Sequence, residues 1–426
     1  MTFLIAFISI ALMMILKYSQ TKSKSKPKVS KPKTMKCFEF VPPILLVIVA
    51  GISIGGGLCK WNQVKHYDTV TILESALGEG ASLPAHLYQE TSEIFVRSAN
   101  EVVENALNVS YRATGSGSGQ QSLIENLVDF AGTDVMFNDE MVSQVSDLAI
   151  YPTVATAVCA VANIISENVN LDVIVSRETL VKIFAGLITH WDDPEILRTN
   201  VNIKNLLPHE RIRVCTRSDS SGTTSIFTHA LYNFNSTIFQ DHLGEPGKVV
   251  NWTLDHDEVE GSDAVIQYVK STPNSISYVS FDHVMRQNNT IRCLAMTAES
   301  LEKNSTSTCL DVVEPSTSSV TRSMEIAMTG STWNYTQGIP LMSENVLLDP
   351  IAWPISSFTY IALRLNSSRE TTSCSKREYV LAYLDWLYSE EARDYALSDG
   401  FIPLPDTYRD HAVIHVTSNL RCQDGT

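Results

Sequence analysis

The chain is poor in positive charge. Its 426 residues contain 32 Lys and Arg residues against 47 Asp and Glu residues. The first sixty residues hold nine Lys and one Glu, so residues 61–426 carry 23 basic and 46 acidic side chains, a net charge of −23. A surface this acidic argues against nucleic acid or another polyanion as a partner. A small anion can still bind, provided that its site is local and rich in N–H donors.

Motifs for metal binding and for nucleophilic catalysis are also missing. There is no CxxC motif and no Cys/His spacing typical of a zinc site. The acidic run 255–258 is interpreted as a solvated loop in preference to a metal site. Ser221 has no histidine with an obvious pairing. We therefore predict that the chain is not an enzyme and uses neither a metal nor a cofactor.

The first sixty residues differ in composition from the rest. Residues 1–16 are apolar but short for a bilayer span, and we interpret them as a retained membrane segment or a signal-like segment. Residues 41–60 are predicted to form a transmembrane helix. Residues 17–40 contain eight lysines, which predicts a cytoplasmic linker by the positive-inside rule. The remainder is then extracellular, or lies in the lumen of the secretory pathway.

Seven glycosylation sequons support this orientation, because all of them follow the predicted membrane helix. The chain is thus predicted to be a glycoprotein of the cell surface with a C-terminal ectodomain. The candidate acceptors are Asn108, Asn235, Asn251, Asn288, Asn304, Asn334 and Asn366.

Six cysteines follow residue 60, in a compartment that permits disulfides. Spacing alone does not determine their pairing. Cys293 and Cys309 would close the shortest loop, and Cys374 with Cys422 would tie down the C-terminal tail. Cys159 and Cys215 lie on strand-like runs, where buried thiols are the alternative.

Strand-like and helix-like segments alternate along most of residues 66–426, which predicts an α/β fold. Residues 154–161 form a continuous apolar run, typical of a buried parallel strand. Residues 285–350 are rich in Ser, Thr and Asn and are interpreted as mostly loop. Further predicted elements are a helix capped by Ser176 and ending at Phe184, a helix capped by Ser262 and ending at Val269, a strand over 276–281, and one long helix over 379–396.

The segment 217–224, with the sequence RSDSSGTT, carries the most chemical information. An alternating strand pattern precedes it, and a helical apolar pattern follows it. A strand, a turn of small residues and a helix N-terminus together make an oxyanion site, because unpaired N–H groups and the helix dipole attract negative charge. Arg217 can add a bidentate hydrogen-bonding fork. The alternative is an ordinary Ser/Thr helix cap.

Three more segments share this chemistry. Residues 78–84 and 114–119 are turns of small residues before predicted helices, although the glycine-serine repeat of the second is also typical of a flexible linker. Asp134 ends a strand-like run over 130–133.

With these segments in place, the chain resembles the phosphate-binding protein of bacterial ABC phosphate uptake, a two-lobed periplasmic binding protein. The resemblance extends from about residue 73 to residue 406. It implies one lobe formed by residues 66–152 with 353–426, a second lobe formed by residues 153–352, and a chain that crosses twice between them. The matching segments are 80–85, 111–119, 129–134, 151–154, 183–186, 191–194, 217–224, 352–355 and 381–386.

The resemblance also implies a set of phosphate ligands, with Asp219 as the acidic partner of the arginine. Three positions depart from the family's usual pattern: Ser82 stands for threonine, Leu83 for phenylalanine and Ser220 for glycine. Leu83 is expected to offer mainly its backbone N–H. The implied ligands are Ser82, Leu83, Ser116, Asp134, Arg217, Ser221, Gly222 and Thr223.

The chemistry of Asp134 gives a physical reason for phosphate. At neutral pH phosphate carries a proton that a carboxylate can accept, whereas sulfate carries none and would be repelled. Arsenate carries the same protons and is not excluded. A phosphate transporter is an expected partner. The alternatives are a cell-surface interaction module that kept the fold without the ligand, and a relative that hydrolyses phosphoesters.

Overall fold

The computed structural model describes residues 75–100, 108–166, 169–287, 290–297, 311–330, 334–366 and 374–420. The predicted segments within residues 1–60 lie outside this part, as do sequons Asn288 and Asn304. In the described part of the chain, no helix combines the length and apolarity needed to cross a membrane.

Strands and helices alternate as an α/β fold requires. The strands are β1 Ser75–Gly80, β2 Asn108–Ala113, β3 Phe130–Thr133, β4 Leu148–Asn163, β5 Ile165–Ser166, β6 Val169–Asn170, β7 Ile174–Ser176, β8 Arg213–Arg217, β9 His256–Val259, β10 Ser275–Ser280, β11 Ala295–Thr297, β12 Val312–Val313, β13 Ser356–Arg364 and β14 Ile402–Pro403. The helices are α1 Ala85–Asn100, α2 Ser116–Ile124, α3 Asp139–Gln144, α4 Arg177–Phe184, α5 Pro194–Thr199, α6 Gly222–Phe234, α7 Ser236–Leu243, α8 Ser262–Ser271, α9 Phe281–Met285, α10 Thr317–Gly330, α11 Glu344–Leu348, α12 Cys374–Leu387, α13 Glu390–Ser398 and α14 Asp406–Asn419.

The main sheet has two halves joined by the 16-residue strand β4. The strand order is β2-β1-β3-β13-β4-β10-β8-β9. The first part of β4 pairs with β13, and its last part pairs with β10. Three parallel strands, β1, β2 and β3, belong to the first half, and β8, β9 and β10 form a second parallel group. This is the two-lobed α/β arrangement that the sequence predicts.

Strand β4 is buried, as its apolar composition predicts, but the prediction that it is parallel is wrong. All three strands that pair with it, β13, β10 and β14, run antiparallel to it. A continuous apolar run indicates that both faces of a strand are buried. A central strand can be buried in this way whether its neighbours are parallel or antiparallel, so the run does not predict strand direction.

One predicted helix start is confirmed and two predicted helices need correction. The cap at Ser176 is confirmed, because its side chain accepts a hydrogen bond from Thr179 N–H. Ser262 is not a cap: α8 begins at Ser262 itself, after Gly261. The long helix predicted over 379–396 is two helices, because Ser389 accepts a hydrogen bond from Ala392 N–H and starts a new one.

Two predicted loops also contain regular structure. The range 285–350 includes the 14-residue helix α10, in spite of its Ser- and Thr-rich composition. The acidic run 255–258 contributes three residues to the edge strand β9. In both segments the packing of neighbouring elements decides the conformation, since local propensity is a weak determinant.

In the described part of the chain a disulfide joins Cys159 to Cys293, across 134 residues of sequence. The suggestion of a pair between Cys293 and Cys309 is therefore wrong, and Cys159 is not a free thiol. Cys159 lies on β4, and the segment around Cys293 runs beside that strand: Leu294 N–H donates to Ala160 C=O at 2.8 Å. Cys215 is a buried free thiol, and burial raises its pKa to about 12. The side chains of Cys309, Cys374 and Cys422 lie outside the described part.

Five of the candidate glycosylation acceptors lie in the described part. Asn108, Asn251, Asn334 and Asn366 are exposed. Asn235 is half-buried and caps α7 by accepting a hydrogen bond from Ile238 N–H. Glycosylation at these positions stays a prediction.

Candidate functional site

A cleft of about 620 Å³ lies between the ends of the two groups of parallel strands. The loops that follow β1, β2 and β3 meet there because the carboxyl ends of parallel strands share one edge of a sheet. The residues that follow β8, β9 and β10 line the same cleft from the other half. All eight residues predicted as ligands line this cleft, and so does Asp219. Open α/β sheets bind their ligands at such an edge.

Asp134 is the most unusual group in the cleft. Its residue is only 6% exposed, and its Oδ1 atom has no hydrogen-bond partner in the described part of the chain. Burial raises its pKa to about 7, against the opposing effects of the charge on Lys248 and a hydrogen bond with Ser116. A buried acceptor without a donor is costly. Asp134 is therefore a buried acceptor for which the described part of the chain supplies no donor.

Arg217 ends strand β8 and is held in place by neighbouring side chains. Its Nε donates to Asp219 Oδ1 at 2.6 Å, and a second nitrogen donates to Asp219 Oδ2. A third donates to Ser262 Oγ at 3.1 Å. Hydrogen bonds from Arg217 lower the pKa of Asp219, which also accepts from Gly261 N–H. A guanidinium has five N–H donors, so about two remain for a ligand.

The segment after Arg217 is both a helix cap and a cluster of donors. Ser221 caps α6, since its Oγ accepts from Thr224 N–H at 3.2 Å. The N–H groups of Gly222 and Thr223 belong to the first turn, where a helix supplies no acceptor. A Cβ atom on Gly222 would lie 2.9 Å from Asp134 Oδ2. Only glycine lets the helix N-terminus approach this carboxylate so closely.

The glycine-serine repeat over 114–119 is not a flexible linker, because α2 begins within it at Ser116. Gly115 precedes the helix with a φ of 89° and no side-chain cap. A Cβ on Gly119 would lie 2.5 Å from the carbonyl oxygen of Glu79. The glycines therefore allow α2 to pack directly on β1, with its N-terminus at the cleft. Ser116 Oγ accepts from Asp134 N–H at 3.3 Å.

The turn between β1 and α1 brings Ser82 and Leu83 to the cleft. Ser82 is exposed, and its carbonyl oxygen accepts from Ala85 N–H at 3.3 Å. Leu83 is half-buried and packs against an apolar cluster that includes Val154 and Phe401. Its side chain thus contributes to the packing of the first half and leaves its backbone at the cleft.

Further side chains line the cleft besides those predicted as ligands or as the support of Arg217. Among them are Lys248, Ser262 and His283. Ser262 is marked in the sequence only as a predicted helix cap, and no local motif marks Lys248 or His283. His283 is not arranged as in a hydrolase triad: Ser280 Oγ and Asp282 Oδ2 both contact its Nδ1 atom, at 3.0 Å and 2.8 Å. Its Nε2 atom lies 4.0 Å from Asp263 Oδ1, too far for a hydrogen bond. A triad needs the serine and the carboxylate on opposite ring nitrogens.

The family model described as "PBP superfamily domain" matches residues 75–391. The chain belongs to the PBP superfamily. Among its PBP relatives, the phosphate-binding protein PstS of Methanocaldococcus jannaschii is 29% identical over 376 residues, which cover 85% of this chain and 90% of that protein. PstS of Haemophilus influenzae is 29% identical over 331 residues, covering 78% and 89%.

The structural comparison agrees with membership of the PBP superfamily. A phosphate-binding protein from Stenotrophomonas maltophilia superposes with a TM-score of 0.56 at 21% identity, covering 80% of this chain and 93% of that one. At this identity the similarity establishes the PBP fold alone. Membership of the PBP superfamily, which the family model shows, agrees with the two-lobed periplasmic binding protein that the sequence resembles.

Proposed function

We propose that this PBP-superfamily chain binds inorganic phosphate in the cleft between its two halves. The observation that carries the proposal is Asp134, a buried carboxylate with an unpartnered oxygen, placed next to the N–H groups that start α6. An anion that carries its own proton satisfies both the carboxylate and the donors. The names of the PstS relatives support phosphate as that anion.

The proposed ligands are the eight residues that share the cleft. Ser82, Ser116, Ser221 and Thr223 would donate from hydroxyl or backbone groups, Leu83 and Gly222 from the backbone, and Arg217 from its two remaining N–H groups. Asp134 would accept the proton of the anion. Asp219 would support the arginine. Ser220 is compatible with this turn, because the structure gives it no positive φ where glycine would be required.

Selectivity against sulfate follows from the same geometry. Sulfate has no proton at neutral pH, so its oxygen would face the lone pairs of the ionised Asp134 carboxylate, which is buried. Leaving a buried polar group unpaired costs about 1–3 kcal/mol, and more when the group is charged. Arsenate is protonated like phosphate, so the carboxylate of Asp134 would not discriminate against it.

The biological role would be capture of extracellular phosphate for delivery to a transporter, or sensing. Residues 41–60 would anchor the protein in the membrane, with the Lys-rich linker in the cytoplasm and the binding cleft outside the cell. The sequons after residue 60 support this orientation. The acidic ectodomain is compatible with a small anion, since the donors are concentrated locally in the cleft.

Isothermal titration calorimetry tests the proposal. The purified full chain, held in detergent and free of phosphate, is titrated with phosphate and then with sulfate. We expect heat and saturation with phosphate, and affinity at least tenfold lower for sulfate, since 1.4 kcal/mol is a factor of ten. No binding of phosphate would favour an interaction module without a ligand. Equal affinity for the two anions would refute the role of Asp134.

A further inference from the structure

Lys248 lies on the loop between α7 and β9, and its backbone is fixed to α6. Gly247 N–H donates to Thr228 Oγ1 at 3.1 Å, and Ser221 N–H donates to the carbonyl oxygen of Lys248 at 3.1 Å. The residue that caps α6 therefore also holds the backbone of Lys248. These two hydrogen bonds tie the loop to the start of α6, where the proposed donors lie.

The side chain of Lys248 extends across the cleft to the opposite half. Its Nζ atom lies 3.9 Å from the position that a Cβ would take on Gly117, in the first turn of α2. Lys248 is half-buried, and burial lowers the pKa of its ammonium while the negative charge of Asp134 opposes that effect. The lysine thus joins the two walls of the cleft, with its backbone tied to α6 and its ammonium beside the first turn of α2.

The ammonium of Lys248 differs from the guanidinium of Arg217 in having no contacting carboxylate in the described part of the chain. The charge of Arg217 is partly offset by its bidentate contact with Asp219, which also holds the guanidinium in place. In the described part of the chain, Lys248 forms no ion pair within 4.0 Å. The ammonium and the N-terminus of α2 supply local positive charge in a cleft whose lining also includes Asp134, Asp219, Glu260 and Asp263. Phosphate brings one or two negative charges to this cleft at neutral pH.

We propose that Lys248 is a further phosphate-binding residue, whose ammonium donates to an oxygen of the anion from across the cleft. The inference rests on the proposed phosphate binding and adds a ligand to it. The lysine adds positive charge to that of Arg217, which is partly offset by Asp219. Because it spans the cleft, it also links binding to the approach of the two halves.

The test replaces Lys248 in the full chain and measures phosphate affinity by calorimetry. Lys248→Met keeps the length of the side chain and removes the charge, and we expect at least tenfold weaker binding. Lys248→Arg keeps the charge and should retain most of the affinity. The loss should shrink when ionic strength rises from about 0.1 M to about 1 M, where the Debye length falls from about 10 Å to about 3 Å.

Lys270→Met is the matched control. Lys270 is an exposed lysine on α8 whose Nζ contacts Gln287, outside the cleft. Its replacement removes the same charge from the chain and should leave phosphate affinity unchanged. Equal affinities of Lys248→Met and Lys270→Met would overturn the proposal for Lys248. Failure of the unmodified protein to bind phosphate would instead refute the proposed function.

A second measurement uses the unmodified protein and does not depend on the folding of a variant. Acetylation of lysines by a mild reagent is followed residue by residue with mass spectrometry, with and without inorganic phosphate. Phosphate should slow acetylation at Lys248 severalfold and leave Lys270 unaffected. If phosphate binds but Lys248 reacts at the same rate in both samples, the ammonium does not contact the anion and the proposal is wrong.

Discussion

The stability of the phosphate-free protein should fall between about pH 4 and pH 7 because of Asp134, and Asp134→Asn should remove that fall. Burial raises the pKa of Asp134 from 3.8 to about 7 in the folded protein. In this pH range the folded protein keeps the proton that the unfolded chain has already released. The folded state then binds more protons, so the free energy of unfolding decreases as pH rises and levels off above pH 7.

The magnitude follows from the size of the shift. One pKa unit corresponds to 1.36 kcal/mol, so a shift of roughly three units is worth about 4 kcal/mol of unfolding free energy across the range. The physical source of this cost is the burial of the carboxylate, whose Oδ1 atom has no hydrogen-bond partner in the described part of the chain. Asparagine has the same shape and carries no charge, so it does not titrate.

The assay is urea denaturation at several values from pH 4 to pH 8 in phosphate-free buffer. The quantity of interest is the unfolding free energy of Asp134→Asn minus that of the wild type, because other titrating groups cancel in this difference. It should grow by several kcal/mol from pH 4 to pH 7. Asp263→Asn removes an exposed negative charge from the same cleft and controls for net charge. A difference that stays flat from pH 4 to pH 8 would refute the reasoning.

Three further predictions concern binding, all measured by calorimetry with phosphate and sulfate. Asp134→Asn should weaken phosphate binding roughly tenfold to a hundredfold, since a hydrogen bond to a charged group is worth about 1.5–3 kcal/mol. It should also reduce the ratio of the affinity for phosphate to the affinity for sulfate. An unchanged ratio would contradict the role of the carboxylate. Asp219→Asn should leave the guanidinium of Arg217 less well oriented and weaken the binding of phosphate and sulfate by the same factor, about tenfold. A loss of affinity for only one of the two anions would show that Arg217 contributes to selectivity as well as to attraction of negative charge. Gly222→Ala should weaken phosphate at least tenfold, because the new Cβ would lie 2.9 Å from Asp134 Oδ2. Gly247→Ala, whose nearest contact would be 3.7 Å away, is its control and should bind like the wild type.

Much of the fold could be predicted because its determinants are local. The alternation of apolar periods identifies strands and helices, and the cap at Ser176 marks a helix start. The failures have physical causes. The direction of β4 depends on which strands flank it, and the break at Ser389 depends on a side chain that satisfies a new helix N-terminus. Composition alone does not contain either fact.

The candidate site likewise contains residues that can be recognised from the sequence and one, Lys248, that only the tertiary structure identifies. Arg217, Ser221 and their neighbours lie in one turn, so their chemistry is visible in the sequence. Asp134 and Ser116 are assigned through the family resemblance, and the structure places both at the same cleft. Lys248 was missed because nothing in its own loop distinguishes it from a solvated lysine. Its position depends on contacts with Ser221 and on the proximity of Gly117.

The sequence by itself determined the α/β class, the family and the loops that carry the site, because these depend on periodicity and on short motifs. The tertiary structure decided the pairing of Cys159 with Cys293, the burial of Asp134 without a donor and the reach of Lys248 across the cleft. The physical reason is distance along the chain. Burial, charge balance and covalent pairing depend on groups that are remote in sequence, and only folding brings them within a few ångströms of one another.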